Sequence, residues 1–164
     1  MTTLIQLKTY AKKNGFVTKM ERLGFKLGPN SFWFYRERGG FIDYLDFWMK
    51  SSGCYVTIPV MCLKTSLIMH CDMENFPKNF NKGIPFYSST FINEDYGVEI
   101  GGDPWDVSTE SDIENMLNES LELLSDSGEK WWKAINNDTD FYESFTINFK
   151  ESNNADIIKE KLDI

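Results

Sequence analysis

The sequence predicts an α+β fold: an antiparallel β-sheet, strung as a meander, packed against an N-terminal helix and C-terminal helices. Three observations carry that expectation. Residues 24–63 alternate apolar and polar side chains with a period of two between glycine-rich turns, the signature of consecutive antiparallel strands. Residues 3–23 and 111–124 repeat apolar side chains at three and four instead, the spacing of a helix with one buried face. No repeat, low-complexity tract or linker divides the chain, so residues 1–164 read as a single domain. That length, with 41% hydrophobic and 15% aromatic residues, suffices for one core filled largely by rings.

The first helix places Leu4, Leu7, Ala11, Phe16, Met20 and Leu23 on one side and Lys12, Lys13, Lys19 and Glu21 outward. Asn14-Gly15 interrupts it. A glycine inside a helix costs about 1 kcal/mol relative to alanine, so the stretch is one irregular helix or two shorter ones. Gly24 sits where a left-handed residue closes a helix, and Gly28-Pro29-Asn30 is a turn.

In the meander, Phe32, Phe34 and Arg36 alternate with Trp33, Tyr35 and Glu37. Arg38-Gly39-Gly40 turns the chain, residues 41–48 return, and Ser51-Ser52-Gly53 turns it again into a third strand over 55–61. That strand contains Pro59. A proline donates nothing to a ladder, so the strand is expected at an edge or bulged there. An exposed edge would be a place for a partner to add a strand. The plainer alternative is a proline that closes the strand before a loop.

Residues 66–71 read as a short strand and 75–89 as a long irregular connection, with Pro77, Gly83 and Pro85. Phe76, Phe80, Phe86 and Tyr87 argue against disorder in it. Residues 96–101 form a further strand, stopped at Gly101-Gly102-Asp103-Pro104. Ser111-Asp112-Ile113-Glu114 fits a capping box for an acidic helix that Gly128 ends. Trp131, Trp132 and Ile135 begin a short helix, one ring in the core and the other between helix and sheet. Phe141, Phe145 and Phe149 recur every four residues while 144–149 alternates by two, and helix is preferred through Ser144. Residues 155–162 are a terminal helix.

No run reaches the roughly 18 apolar residues that a bilayer requires, and residues 1–8 lack a cleavable signal pattern. A soluble, cytoplasmic protein with no membrane association is expected. Cys54, Cys62 and Cys71 are odd in number and lack CxxC spacing, which argues against a disulfide scaffold and for small buried apolar residues.

The net charge is −8, and its distribution is uneven. The bases Lys8, Lys12, Lys13, Lys19, Lys26, Arg22, Arg36 and Arg38 face only Glu21 and Glu37 within residues 1–40. Residues 83–129 hold no Lys or Arg at all, and carry Asp and Glu throughout. Such a field attracts a basic partner and repels phosphate backbones, so direct nucleic-acid binding is not expected. The cluster Lys12, Lys13, Lys19, Arg22 and Lys26 reads as the wet side of an amphipathic helix rather than a phosphate contact.

Catalytic chemistry finds little purchase. His70 is the only histidine, and neighbours on a strand point to opposite faces, so His70-Cys71-Asp72 does not converge. A nitrogen-rich zinc site has no second histidine. Gly39-Gly40 and Gly101-Gly102 lack the spacing of a phosphate-cradling loop. The acid pairs Glu94/Asp95, Asp103/Asp106 and Asp43/Asp46 are ordinary for so acidic a chain, and Asp43 and Asp46, three apart on a strand, face opposite ways. No catalytic residue, metal or cofactor is assigned.

The order of features resembles the bacterial domain-of-unknown-function family numbered 4304. It is similar, more loosely, to the immunity proteins that neutralise toxins in interbacterial competition. Leu23-Gly24-Phe25-Lys26, Phe32, Phe34-Tyr35-Arg36, the aromatic second strand and Trp131-Trp132 after an acidic helix carry the likeness. Residues 64–91 fall outside it. The resemblance implies a small non-enzymatic binding protein and supplies no catalytic residues. With the charge pattern, it leads to an immunity protein, monomeric or a weak homodimer, that binds a basic cognate toxin domain. Its contact surface is expected at Asp103, Trp105, Asp106, Glu110 and Asp112, the carboxylates meeting Lys or Arg and Trp105 serving as apolar anchor. One alternative is a metal-dependent hydrolase or nucleic-acid enzyme using surface carboxylates. The other is a structural or regulatory subunit docking through the edge strand at Pro59.

Overall fold

Gly15 splits the first helical stretch in two. The computed structural model describes residues 1–68, 88–91 and 104–164. In it α1 (Leu4–Lys13) and α2 (Phe16–Arg22) meet at Gly15, whose φ of 84° is left-handed. Glycine enters that region without a Cβ penalty, so the interruption becomes a corner. Thr3 and Gln6 cap α1 reciprocally, and Gly24, with φ 91°, closes α2.

The strands follow as β1 (Lys26–Leu27), β2 (Trp33–Arg38), β3 (Phe41–Asp46), β4 (Trp48–Met49), β5 (Tyr55–Thr57), β6 (Pro59–Lys64), β7 (Ser88–Phe91) and β8 (Trp105–Asp106). They form two antiparallel sheets, a larger one in the order β1-β2-β3-β6-β7 and a smaller one in the order β4-β5-β8. The fold is α+β, as expected.

The register explains why β3 and β6 are buried along almost their whole length. Directly opposed residues share a face. Phe34, Leu45, Val60 and Cys62 look one way, toward the helices, in the main core. Trp33, Ile42, Tyr44, Met61 and Leu63 look the other way and make a second buried cluster with Ile68. Strands buried on both faces need no polar alternation.

Pro59 is not on an edge strand. The expected strand 55–61 is two strands in different sheets, β5 ending at Thr57 and β6 starting at Pro59. Each is flanked on both sides, β5 by β4 and β8, β6 by β3 and β7. The β3–β6 ladder begins only at Val60, so the proline occupies the first position of its strand, where its missing N–H does least harm.

The expected strand 66–71 is also corrected where it is described: Thr65–Leu67 is a 3₁₀ turn. Residues 69–71, the connection over 75–87 and the strand over 96–101 lie outside the described residues; Ser88 and Ser89 belong to β7.

The acidic helix, α3 (Glu110–Leu123), starts earlier than expected. Its capping box is Thr109 with Asp112, rather than Ser111 with Glu114. Nor does Gly128 end it. A π turn over Leu124–Gly128 carries the chain on into α4 (Glu129–Lys133), with Gly128 at φ −61° and ψ −48°. Gly128 thus lies within continuous helical backbone, and a Cβ there would stand in ordinary contact with the Trp132 ring at 3.4 Å. Then come α5 (Asp138–Glu143), α6 (Ile147–Lys150) and α7 (Asn153–Leu162). The four-residue spacing prevails over the two-residue one: the Phe141 and Phe145 ring centroids lie 5.1 Å apart and those of Phe145 and Phe149 4.4 Å apart.

One core cluster joins these pieces, with Leu7, Met20, Phe34, Met116, Trp132 and Ile158 drawn from both ends of the chain and the sheet between them. Among the described residues no helix is long and apolar enough to cross a membrane.

Candidate functional site

The small sheet and the start of α3 hold four of the five residues singled out from the sequence; Asp103 lies outside the described residues. In the β5–β8 register Tyr55 opposes Asp106 and Val56 opposes Trp105, while Met49 opposes Val56 and Trp48 opposes Thr57 across β4 and β5. Val56 is fully buried, and Met49 and Trp105 pack beside it on the core. Strand alternation then sends Tyr55, Trp48 and Asp106 to the outer face.

Trp105, expected as the apolar anchor, is thus on the inner side. Its ring is half-buried and its indole N–H donates to Glu119 Oε2 at 2.9 Å. The exposed rings on the same outer face are Tyr55, opposite Asp106 and 44% exposed, and Trp48, on β4 and 46% exposed. Sequence reasoning passed over both. Their signal was the alternation with Val56, readable only once β5 is known to have one buried face.

The carboxylates differ in how committed they are. Asp106 is exposed and accepts the Ser108 N–H at 2.8 Å. The Ser108 hydroxyl and backbone N–H together hold its carboxyl below the ordinary value of 3.8. Asp112 is engaged in the helix cap, taking the Thr109 hydroxyl at 2.6 Å and the Thr109 N–H at 3.0 Å. Glu110 is exposed in the first turn of α3, where the helix dipole favours negative charge. It stands on the rim of a groove of about 410 Å³ between α1 and α3, lined by Met1, Ile5, Tyr10 and Ile113 among others.

Beyond Glu110, Glu114, Glu119 and Glu122 are also exposed on α3. Among the described residues none of these four, nor Asp106, forms an ion pair. Elsewhere acids are neutralised within the fold: Asp43 by Arg36 and Arg38, Glu129 by Arg36, Asp138 by Lys64, Glu143 by Lys150.

Asp43 and Asp46 face opposite ways, as their spacing predicts. Asp43 meets the two arginines, whereas Asp46 accepts the Tyr44 hydroxyl at 3.2 Å and the Trp48 indole N–H at 3.1 Å. Among the described residues no three His, Cys, Asp or Glu side chains gather as metal ligands. His70-Cys71-Asp72 and Glu94/Asp95 lie outside those residues. Cys62 is buried, and burial pushes its thiol well up, with the nearby Asp43 charge adding to it; Cys54 is part-exposed. No protein-family model, curated protein or solved structure matches the chain.

Proposed function

We propose that this chain is a non-enzymatic binding protein of the immunity type, which neutralises a basic toxin domain by covering it with an acidic face. The observation behind the reading is the set of uncompensated carboxylates. Glu110, Glu114, Glu119 and Glu122 stand exposed on one helix with no cation of the chain paired to them among the described residues. Like charges crowded on a helix cost stability, and a cationic partner relieves that cost. Placed over a cleft that normally holds phosphates, such acids give fast, salt-sensitive association and exclude neutral partners. The setting would be the cytoplasm of the producing cell, with the chain acting as a monomer or weak homodimer.

The test is binding to the purified product of the adjoining reading frame, followed by surface plasmon resonance at low and high salt. The expected result is a tight complex whose association slows by about tenfold or more as salt rises. Association that ignores salt, or a neighbouring product whose toxicity this chain does not relieve, would sink the reading.

A further inference from the structure

The outer face of the small sheet is not accounted for by the acidic helix. Tyr55 lies directly opposite Asp106, and Trp48 lies one row away opposite Thr57. Directly opposed residues hold their Cβ atoms about 4.5–5.5 Å apart on one face. A half-exposed ring and a carboxylate at that spacing offer together the two things a guanidinium uses: a π face to lie on and a planar acceptor to fork against. An ammonium is a compact point charge and does not stack, so it makes less of the same pair. Lys50, whose N–H donates to the Tyr55 carbonyl at 2.9 Å, stands across from Tyr55 on the β4 side, where its charge repels a second cation, so a partner's cation meets the ring from the Asp106 side.

Its rigidity points the same way. The Trp48 indole N–H is held by Asp46 at 3.1 Å, and the Asp106 carboxylate by the Ser108 N–H at 2.8 Å. Groups already fixed lose little freedom on binding.

We propose that this face reads an arginine of the basic partner, with the guanidinium over the Tyr55 ring and against the Asp106 carboxylate. The inference rests on the reading of the chain as a receptor for a basic protein, and adds which partner side chain is recognised and where.

The experiment is an NMR titration of the ¹⁵N-labelled full chain with a hexa-arginine and a hexa-lysine peptide at equal ionic strength. The Trp48 indole signal is assigned from Trp48→Phe. Hexa-arginine is expected to move the Trp48 indole and Tyr55 amide signals and to bind about fivefold more tightly than hexa-lysine. Tyr55→Ala should erase that margin. Asp106→Asn, which keeps the side chain's shape and the Ser108 contact, should erase it too, and serves where the alanine variant fails to fold. Shifts confined to α3 with equal affinity for both peptides overturn the inference and leave the acidic-face reading standing. So does a folded Tyr55→Ala or Asp106→Asn variant that keeps the arginine margin. Failure of both peptides to bind overturns the two together.

Discussion

Asp43 and Arg36 stand directly opposite each other in the β2–β3 register, and the fully buried Asp43 carboxylate takes Arg36 Nε at 2.8 Å. Arg38, two residues along β2 and so on the same face, brings Nε to 2.9 Å of one Asp43 oxygen and its Nη2 to 3.1 Å of the other. Both guanidinium groups then reach the helices. Arg36 donates to the Leu23 carbonyl at 2.9 Å and to Glu129 at 2.6 Å, and Arg38 to the Ile135 carbonyl at 2.8 Å. Those carbonyls belong to the C-terminal ends of α2 and α4, where backbone acceptors lack helical partners. One buried carboxylate thereby orients two cations that tie two helix ends to the sheet.

Removing that carboxylate's charge should therefore cost far more than removing one of its partners. Asp43→Asn is expected to lose about 3–5 kcal/mol, because the part-buried Arg36 and Arg38 lose the counter-charge they share and only Arg36 keeps another, Glu129. Arg38→Met should lose less, about 1–2 kcal/mol, since Arg36 still meets the acid. Urea midpoints at constant slope measure both. Equal losses would mean that the two arginines do not share the acid as described.

Which parts of this were legible in the sequence follows from the range of the interactions involved. The break at Asn14-Gly15 and the opposed faces of Asp43 and Asp46 are local matters, decided by one glycine and by a spacing of three along a strand. The passage from β5 to β6 is not local. Tyr55–Thr57 and Pro59–Lys64 continue one alternation, and only pairing with strands far off in the chain assigns them to different sheets. Gly128 misled for a related reason: a glycine inside continuous helical backbone looks in sequence like one that stops a helix. The acids of the candidate site were plain from charge alone. That Trp105 turns inward while Tyr55 turns outward depends on the β5–β8 register, which composition does not encode.

Close approach of backbone to a ring makes Gly28 a sensitive position. A Cβ there would overlap the Trp33 indole, whose N–H is pinned to the Asn30 carbonyl at 2.6 Å. Gly28→Ala is expected to destabilise by about 1–3 kcal/mol through overpacking and to alter the near-ultraviolet tryptophan signal. Gly39→Ala is the control. Nothing lies within 4 Å of a Cβ at Gly39, but its φ of 54° is left-handed, so it should cost about 1 kcal/mol of backbone strain and leave that signal unchanged. Circular dichroism during thermal unfolding separates the two.

Asp46 gives the stability a pH dependence of defined sign. Burial pushes its carboxyl above the ordinary 3.8, against the opposing pull of hydrogen bonds from Trp48, Phe47 and Tyr44. The folded state then binds the proton more tightly than the unfolded chain. Stability from this group is complete below the unfolded value and is lost as pH rises through the raised one. Relative to Asp46→Asn, which does not titrate, the parent chain should gain stability as pH falls from 7 toward 4. Paired urea titrations across that range read the difference. A gap that moves the other way would show that the hydrogen bonds outweigh burial.

Glu114 separates binding from folding, because the two should respond to its reversal with opposite signs. Glu110 and Glu114 are exposed one turn apart on α3, a repulsive arrangement. Glu114→Lys turns it into an attractive pair with the acid on the N-terminal side, the better orientation, and should raise stability by about 0.5 kcal/mol. The same change takes two units of negative charge off the face proposed to steer a basic partner, so association should slow and its salt dependence flatten. Unfolding midpoint and association rate measured on the one variant decide the matter. A fall in both would make Glu114 a structural residue, and an unchanged rate would move the partner's landing site off this helix.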